Sequence, residues 1–169
     1  MKVKNLARCA VFAAVIAVCA WLAVPLFGVP VTMQSFAVAL CLLTLGGKWG
    51  SLTVLVYLCL GAVGLPVFSG FGAGFGTFLG PTGGFLWGFL TGSFGFWAVS
   101  SLPGRKTLPA LAVFQLICYI CGAVWYARVY ASGWWQAIAV SVLPFLLPDI
   151  GKFILAWVLS RRLRKVIFE

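Results

Sequence analysis

From Leu6 onward the chain is a succession of long apolar runs, cut by short breaks rich in glycine and proline, with almost no polar–apolar alternation. Six runs stand out: Leu6–Phe27, Thr32–Leu45, Gly50–Val63, Gly83–Leu102, Leu108–Tyr130 and Ala137–Leu159. A helix needs roughly 20 apolar residues to cross the hydrocarbon of a bilayer. Four runs reach that length. The second and third fall short and are expected to be tilted or completed by irregular pieces. The breaks are Gly28-Val29-Pro30, Gly46-Gly47, Gly64–Pro81, Pro103-Gly104 and Ala131-Ser132-Gly133. Each has turn geometry built into its glycine or proline. The pattern predicts an all-α membrane protein, a single domain over residues 1–169. It has six transmembrane helices, both termini cytoplasmic, and a glycine-rich outer loop between helices 3 and 4.

Composition agrees with that frame. The 169 residues are 63% hydrophobic and 8% charged, whereas soluble domains carry about a quarter charged residues. The net charge of +10 is not a nucleic-acid signal, because the basic residues flank apolar runs instead of clustering on a solvated domain. With the N-terminus inside, Lys2, Lys4, Arg8, Lys48, Arg105, Lys106, Arg161, Arg162, Arg164 and Lys165 all fall on the inner side. Only Arg128 falls outside, and Lys152 lies within a span. That is the positive-inside pattern. Tyr126, Tyr130, Trp134 and Trp135 then form an outer aromatic belt. Lys2, Lys4 and Arg8 before an apolar run resemble the start of a secretion signal. The run is longer than a signal core, and Ala17-Val18-Cys19-Ala20 is a faint cleavage site, so a retained first helix is expected.

Little in the chain suggests catalysis. It has no histidine, which removes the usual metal and acid–base constellations, and no GxxxxGK[ST], so no nucleotide motor of its own. Cys118 and Cys121 have CxxC spacing, a weak signal without soluble context. All six cysteines lie in or beside apolar runs and read best as small buried hydrophobes.

Three patterns invite closer reading. The stretch Gly64–Gly84 is long, apolar and glycine-rich. Irregular backbone near a membrane persists where it is buried in protein or lines a cavity, and glycine lets amides approach a ligand. A loose surface loop would be more polar. Gly80, Gly84, Gly88 and Gly92 make a small-residue stripe, expected to pack inside the bundle. Ala10/Ala14 and Ala13/Ala17 are overlapping AxxxA pairs on the first helix. They suit docking of another helix, from this chain or from a partner.

Asp149, one of only two acidic residues, stands in the last apolar run with Lys152 three residues on. A charge at the bilayer centre costs on the order of 2.5–3.5 kcal/mol, so such residues face the interior and pair. The two share a helix face, and Pro144 and Pro148 loosen the helix just before them. They form either a self-neutralising pair that orients the helix or a clamp for a ligand with an N–H-rich end, an apolar middle and an anionic end. A proton relay lacks a second acid in any span.

Several stretches together resemble a known family. They are Pro30-Val-Thr-Met-Gln34, Tyr57 with Gly61-Ala-Val-Gly-Leu-Pro-Val-Phe68, Gly80-Pro-Thr-Gly-Gly84-Phe-Leu-Trp-Gly-Phe89, and Pro148-Asp-Ile-Gly-Lys152. In this order they are similar to BioY, the biotin-binding S component of energy-coupling factor (ECF) transporters. Position 85 is Phe where many members carry Tyr. The resemblance implies a six-helix subunit, not an enzyme, in a bacterial cell membrane. It captures biotin from outside and works with a transmembrane coupling subunit and two ATPases that use the ATP; it has no cofactor of its own. It further implies that Asp149 accepts from the ureido end and that Lys152 binds a ligand carboxylate or oxygen. Ser69, Gly70, Gly80, Pro81, Thr82, Gly83 and Gly84 would supply backbone and packing contacts. Thr32 and Gln34 would close the site. The Ala10/Ala14 face would dock the coupling subunit. The competing expectations are an S component for a different vitamin, a membrane thiol redox protein using Cys118 and Cys121, and a scaffold. A scaffold leaves the Asp149–Lys152 pair unexplained.

Overall fold

The structure is a computed structural model that describes residues 2–26, 29–104 and 107–168. Helix α1 spans Lys2–Trp21. It ends short of the expected Phe27 because Pro25 would drive its ring into the carbonyl four residues earlier, that of Trp21. The chain instead forms an antiparallel hairpin of β1, Ala23–Leu26, and β2, Val29–Thr32, in register Ala23↔Thr32 and Pro25↔Pro30. The Met33 amide closes its base by donating to the Leu22 carbonyl at 3.0 Å. The tip, where the Gly28 break was expected, lies outside the described residues, as do Arg105 and Lys106.

The second and third runs form α2, Gln34–Ala62, which is interrupted at Gly46 (φ 81°, ψ 171°). This backbone conformation favours glycine. The helix folds back there. Gln34 and Tyr57 would stand about 34 Å apart on a straight helix, yet their side chains are hydrogen-bonded at 2.9 Å. Gly50 closes the hairpin, since a methyl there would lie 2.9 Å from the Leu42 Cα.

The glycine-rich stretch holds a 3₁₀ turn, Ser69–Phe71, and a short helix α3, Gly76–Leu79. It is pinned from below. Phe68 and Phe78 are buried and meet edge to face at 5.4 Å, and Phe68 also meets Tyr57 at 5.7 Å. Helix α4, Gly83–Ser100, lies along α5, Thr107–Val129. A methyl at Gly88 would lie 2.9 Å from the Cys118 Cα, and one at Gly92 2.9 Å from the Phe114 carbonyl oxygen. The glycine stripe is thus a contact between helices of this chain. The last run divides into α6, Trp134–Ser141, and α7, Leu143–Phe168, where one span from Ala137 was expected. Val142 (φ −122°, ψ −53°) breaks the helix just before Pro144.

The two AxxxA pairs separate. Ala13 and Ala17 are buried in the bundle, while Ala10 and Ala14 are exposed beside Val11 and Val18. One end of the bundle collects cations. Arg8 donates to Asn5 Oδ1 at 3.0 Å and to the Ile167 carbonyl, joining the start of α1 to the end of α7. Arg164 donates to the Thr44 carbonyl at 3.2 Å, beside the Gly46 bend. Asp149 is about 22 Å from Arg164 along α7, at 1.5 Å per residue.

Candidate functional site

Asp149 and Lys152 sit near the start of α7, 3% and 8% exposed. Pro148 is the sixth residue of α7, so the bond an amide there would donate to the Pro144 carbonyl is missing just before the pair. The two side chains form an ion pair of 2.9 Å. Each charge has further company. Asp149 Oδ1 accepts from Ser35 Oγ at 3.1 Å as well as from Lys152. Oδ2 accepts from Gln115 Nε2 at 2.7 Å and Tyr119 OH at 2.9 Å. Lys152 Nζ also donates to the Thr32 carbonyl at 2.8 Å and to Ser35 Oγ at 3.3 Å. The network ties α7 to α5, to the start of α2 and to the end of the β-hairpin.

A carboxylate offers about four acceptor positions, and four donors already fill those of Asp149. A ligand N–H reaches this carboxylate only by displacing one of them. Gln115 shows where an acceptor remains. An ionised carboxylate only accepts, so the Gln115 amide must turn its NH₂ toward Asp149. Its Oε1 is then left buried without a partner among the described residues. A second chain of bonds runs from Gln34 Nε2 to Tyr57 OH, and from Tyr57 OH to the Val67 carbonyl at 3.0 Å. It fastens the glycine-rich stretch to α2.

These groups border a small recess with a cavity volume of about 50 Å³. Small-molecule sites are mostly apolar with a few convergent polar groups. Here Phe85, Leu86, Phe89 and Phe145 form the apolar wall; Thr32, Gln34, Ser35, Gln115 and Asp149 supply most of the polar groups. Phe85 and Phe145 pack at 5.5 Å, and Phe85 fills the space over Gly122, where a methyl would lie 2.6 Å from its ring.

Of the residues singled out in the sequence, Thr32, Gln34, Ser69, Thr82 and Asp149 line the recess, and Lys152 stands behind Asp149. Gly70, Gly80, Pro81, Gly83 and Gly84 are not among its lining residues. Gly80 offers its carbonyl to Trp125 Nε1 at 2.9 Å. Gly83 and Gly84 are tight packing positions, where methyls would lie 1.9 Å from the Phe78 carbonyl oxygen and 2.3 Å from the Trp125 Cβ. Ser35, Gln115, Tyr119, Cys118 and the aromatic wall were not picked from the sequence as site residues. Gln115 had a signal, a lone amide in the apolar run 108–130, with Tyr119 one turn on. Cys118 lines the recess and is an unpaired thiol, as is Cys121. No group of three or more His, Cys, Asp or Glu side chains among the described residues is placed to hold a metal.

The fold and site define a class: a helical membrane protein with an aromatic-walled recess beside one buried ion pair. Helices α1, α2, α5 and the α6–α7 stretch are long and apolar enough to cross a membrane. Comparison with known proteins narrows the class. The BioY family model matches residues 1–169, and the chain belongs to the BioY family. It is 36% identical to "Biotin transporter BioY" of Thermotoga maritima, over 98% of this chain and 99% of that protein. It is 39% identical to "Probable biotin transporter BioY" of Pyrococcus horikoshii, over 97% and 98%. Its structure is similar to the crystal structure of the S-component for biotin from an ECF-type ABC transporter, with TM-score 0.86, 29% identity, and coverage of 97% of this chain and 92% of that one.

Proposed function

We infer that this chain captures biotin at the outer face of a cell membrane, as the substrate-specific subunit of an ECF transporter. The observation that carries this is the recess, which sets an aromatic wall beside a saturated Asp149–Lys152 network in a chain that matches biotin transporters end to end. Biotin has a ureido group with two N–H donors, an apolar thioether ring and a carboxylate on an aliphatic chain. The ring suits Phe85, Phe89 and Phe145. The unpartnered Gln115 Oε1 accepts one ureido N–H, held in orientation by Asp149. The second N–H reaches Asp149 by displacing Ser35 or Tyr119. Lys152, already bonded to Thr32 of the hairpin, keeps the Asp149 charge balanced and is the cation nearest to any ligand oxygen that enters beside Thr32. Ser69 and Thr82 complete the outer rim.

The topology that goes with this role has six spans: α1, the two limbs of α2, α4, α5, and α6 with α7. The termini and the Gly46 bend face the cytoplasm, following the positive-inside rule. The exposed Ala10/Ala14 face of α1 docks the coupling subunit, and ATP is used by partner subunits. The process is transport, with no catalytic step in this chain. Equilibrium binding of biotin to the purified protein in detergent, with Asp149→Ala alongside, tests the core of it. Tight binding that the variant abolishes is the expected result. A folded wild-type protein that binds another vitamin and ignores biotin would move the assignment to an S component for that vitamin.

A further inference from the structure

At the far end of the bundle from Asp149, the Gly46 bend lies against α4. A methyl at Gly47 would lie 2.6 Å from the Trp97 Cα. Around this contact is a polar recess of about 230 Å³, bordered by Lys48, Ser100, Ser101, Thr107 and Arg164. Adjoining it is an apolar groove, about 270 Å³, between the second limb of α2 and α4, bordered by Trp49, Leu52, Leu55 and Phe94. Lys48 and Trp97 border both spaces. The two spaces therefore adjoin at these residues, one cationic and the other greasy.

Among the described residues the cations there have no acidic partner. The chain has two acidic residues. Asp149 is paired with Lys152 and lies about 22 Å from Arg164 along α7, and Glu169 lies outside the described residues. The Nε–Thr44 bond fixes the Arg164 guanidinium at the recess, and Lys48 is exposed. The second limb of α2 begins here, so its positive dipole end faces the same space. Ser100 and Ser101 donate their hydroxyl protons to the Trp97 carbonyl at 3.1 and 2.8 Å, so their oxygens are acceptors and the two cations are the donors for an anion. The groove wall is open, with Leu52, Leu55, Phe94 and Trp97 each 37–45% exposed.

We propose that this is a binding site for an anionic glycerophospholipid. The phosphate sits on Lys48 and Arg164, and one acyl chain lies in the groove over Leu52, Leu55, Phe94 and Trp97. A free phosphate has no use for the groove, and a neutral lipid has none for the cations. The site is separate from the biotin recess and does not depend on that assignment.

The test uses the full chain in an uncharged detergent. Lipid binding is counted by native mass spectrometry for phosphatidylglycerol, phosphatidylcholine of equal chain length, and glycerol phosphate as the headgroup alone. Basic residues near a membrane surface contribute about 1 kcal/mol each toward anionic lipid. Phosphatidylglycerol is therefore expected to bind on the order of 10- to 30-fold more tightly than phosphatidylcholine. Lys48→Gln/Arg164→Gln should erase that preference. Leu55→Trp, which fills the groove, should weaken both lipids. Should the Arg164 variant fail to fold, Lys48→Gln alone and Leu55→Trp still decide. Equal binding of the two phospholipids, or a preference untouched by Lys48→Gln, overturns the proposal. Glycerol phosphate binding as tightly as phosphatidylglycerol, with Leu55→Trp inert, overturns the lipid in favour of a free anion.

Discussion

Replacing Lys152 by methionine keeps the length of the side chain and removes its charge. Three bonds go: to Asp149 at 2.9 Å, to the Thr32 carbonyl at 2.8 Å and to Ser35 at 3.3 Å. Asp149 stays buried at 3% exposure, now with only the neutral donors Ser35, Gln115 and Tyr119. Removing one partner of a buried pair typically costs about 3–5 kcal/mol. The three remaining donors put this case near the lower end. Asp149→Asn should cost a similar amount, because it strands an ammonium with one carbonyl and one hydroxyl. The double variant buries no charge, and replacing both members of a buried pair is often nearly neutral. With each single variant at about 3 kcal/mol and the double variant near neutral, a coupling approaching about 6 kcal/mol between the two sites follows. Thermal unfolding of the four proteins in one detergent measures it, since about 1 kcal/mol shifts Tm by 2–4 °C in a chain of this size. Lys152→Met should drop Tm by roughly 6–12 °C, and Asp149→Asn should recover most of that loss in the double variant. Strictly additive shifts would refute the reasoning, since they would mean the pair does not interact in the folded protein.

Three shorter predictions follow from other parts of the structure. Gln115→Leu removes the orphaned acceptor and one Asp149 donor, so biotin affinity should fall by about 1–3 kcal/mol, roughly 5- to 150-fold, as read by isothermal titration; unchanged affinity would take Gln115 out of the site. Gly92→Val places a branched side chain where even a methyl lies 2.9 Å from the Phe114 carbonyl, and should destabilise the α4–α5 contact by about 1–3 kcal/mol, seen as a lowered Tm. Ala14→Trp enlarges an exposed position on α1 that touches no site residue. It should leave biotin binding intact and abolish co-purification with the coupling subunit, whereas loss of both would point to misfolding.

The hydrophobic pattern made the helices legible because each long run had to satisfy its own backbone in lipid, and glycine and proline marked where they stop. What it hid has local causes. The end of α1 moved because Pro25 acts four residues back, on the Trp21 carbonyl. The break at Val142 hid because Ser141 is the single polar residue in Ala137–Leu147 and its hydroxyl bonds back to the Ala137 carbonyl, so a kinked and a straight helix read alike. In the site, Asp149 and Lys152 were visible because charge in an apolar run is rare. Ser35, Phe89 and Phe145 were not, since a serine or phenylalanine in such a run reads as ordinary until the fold brings it to the recess. Gly83 and Gly84, whose motif drew attention to backbone and packing contacts with a ligand, are packed closely against Phe78 and Trp125.

The placement of Lys152 links the recess to what covers it. Its bond to the Thr32 carbonyl holds the last residue of the β-hairpin, and Thr32 Oγ1 in turn accepts from the Gln34 amide at 3.3 Å. Gln34 bonds Tyr57, and Tyr57 bonds the Val67 carbonyl of the glycine-rich stretch. A continuous chain of hydrogen bonds thus runs from the ion pair through the hairpin base to the outer stretch. A ligand group that draws Lys152 toward itself must weaken the Thr32 bond, because both compete for the three N–H donors of one ammonium. Occupancy of the recess and the position of the hairpin are therefore coupled through a single side chain. Lys152→Met should uncouple them. In the variant, biotin should no longer change the protection of the hairpin amides in hydrogen exchange, while in the wild-type protein it should. Equal biotin-dependent changes in both proteins would show that the hairpin senses the ligand by another route.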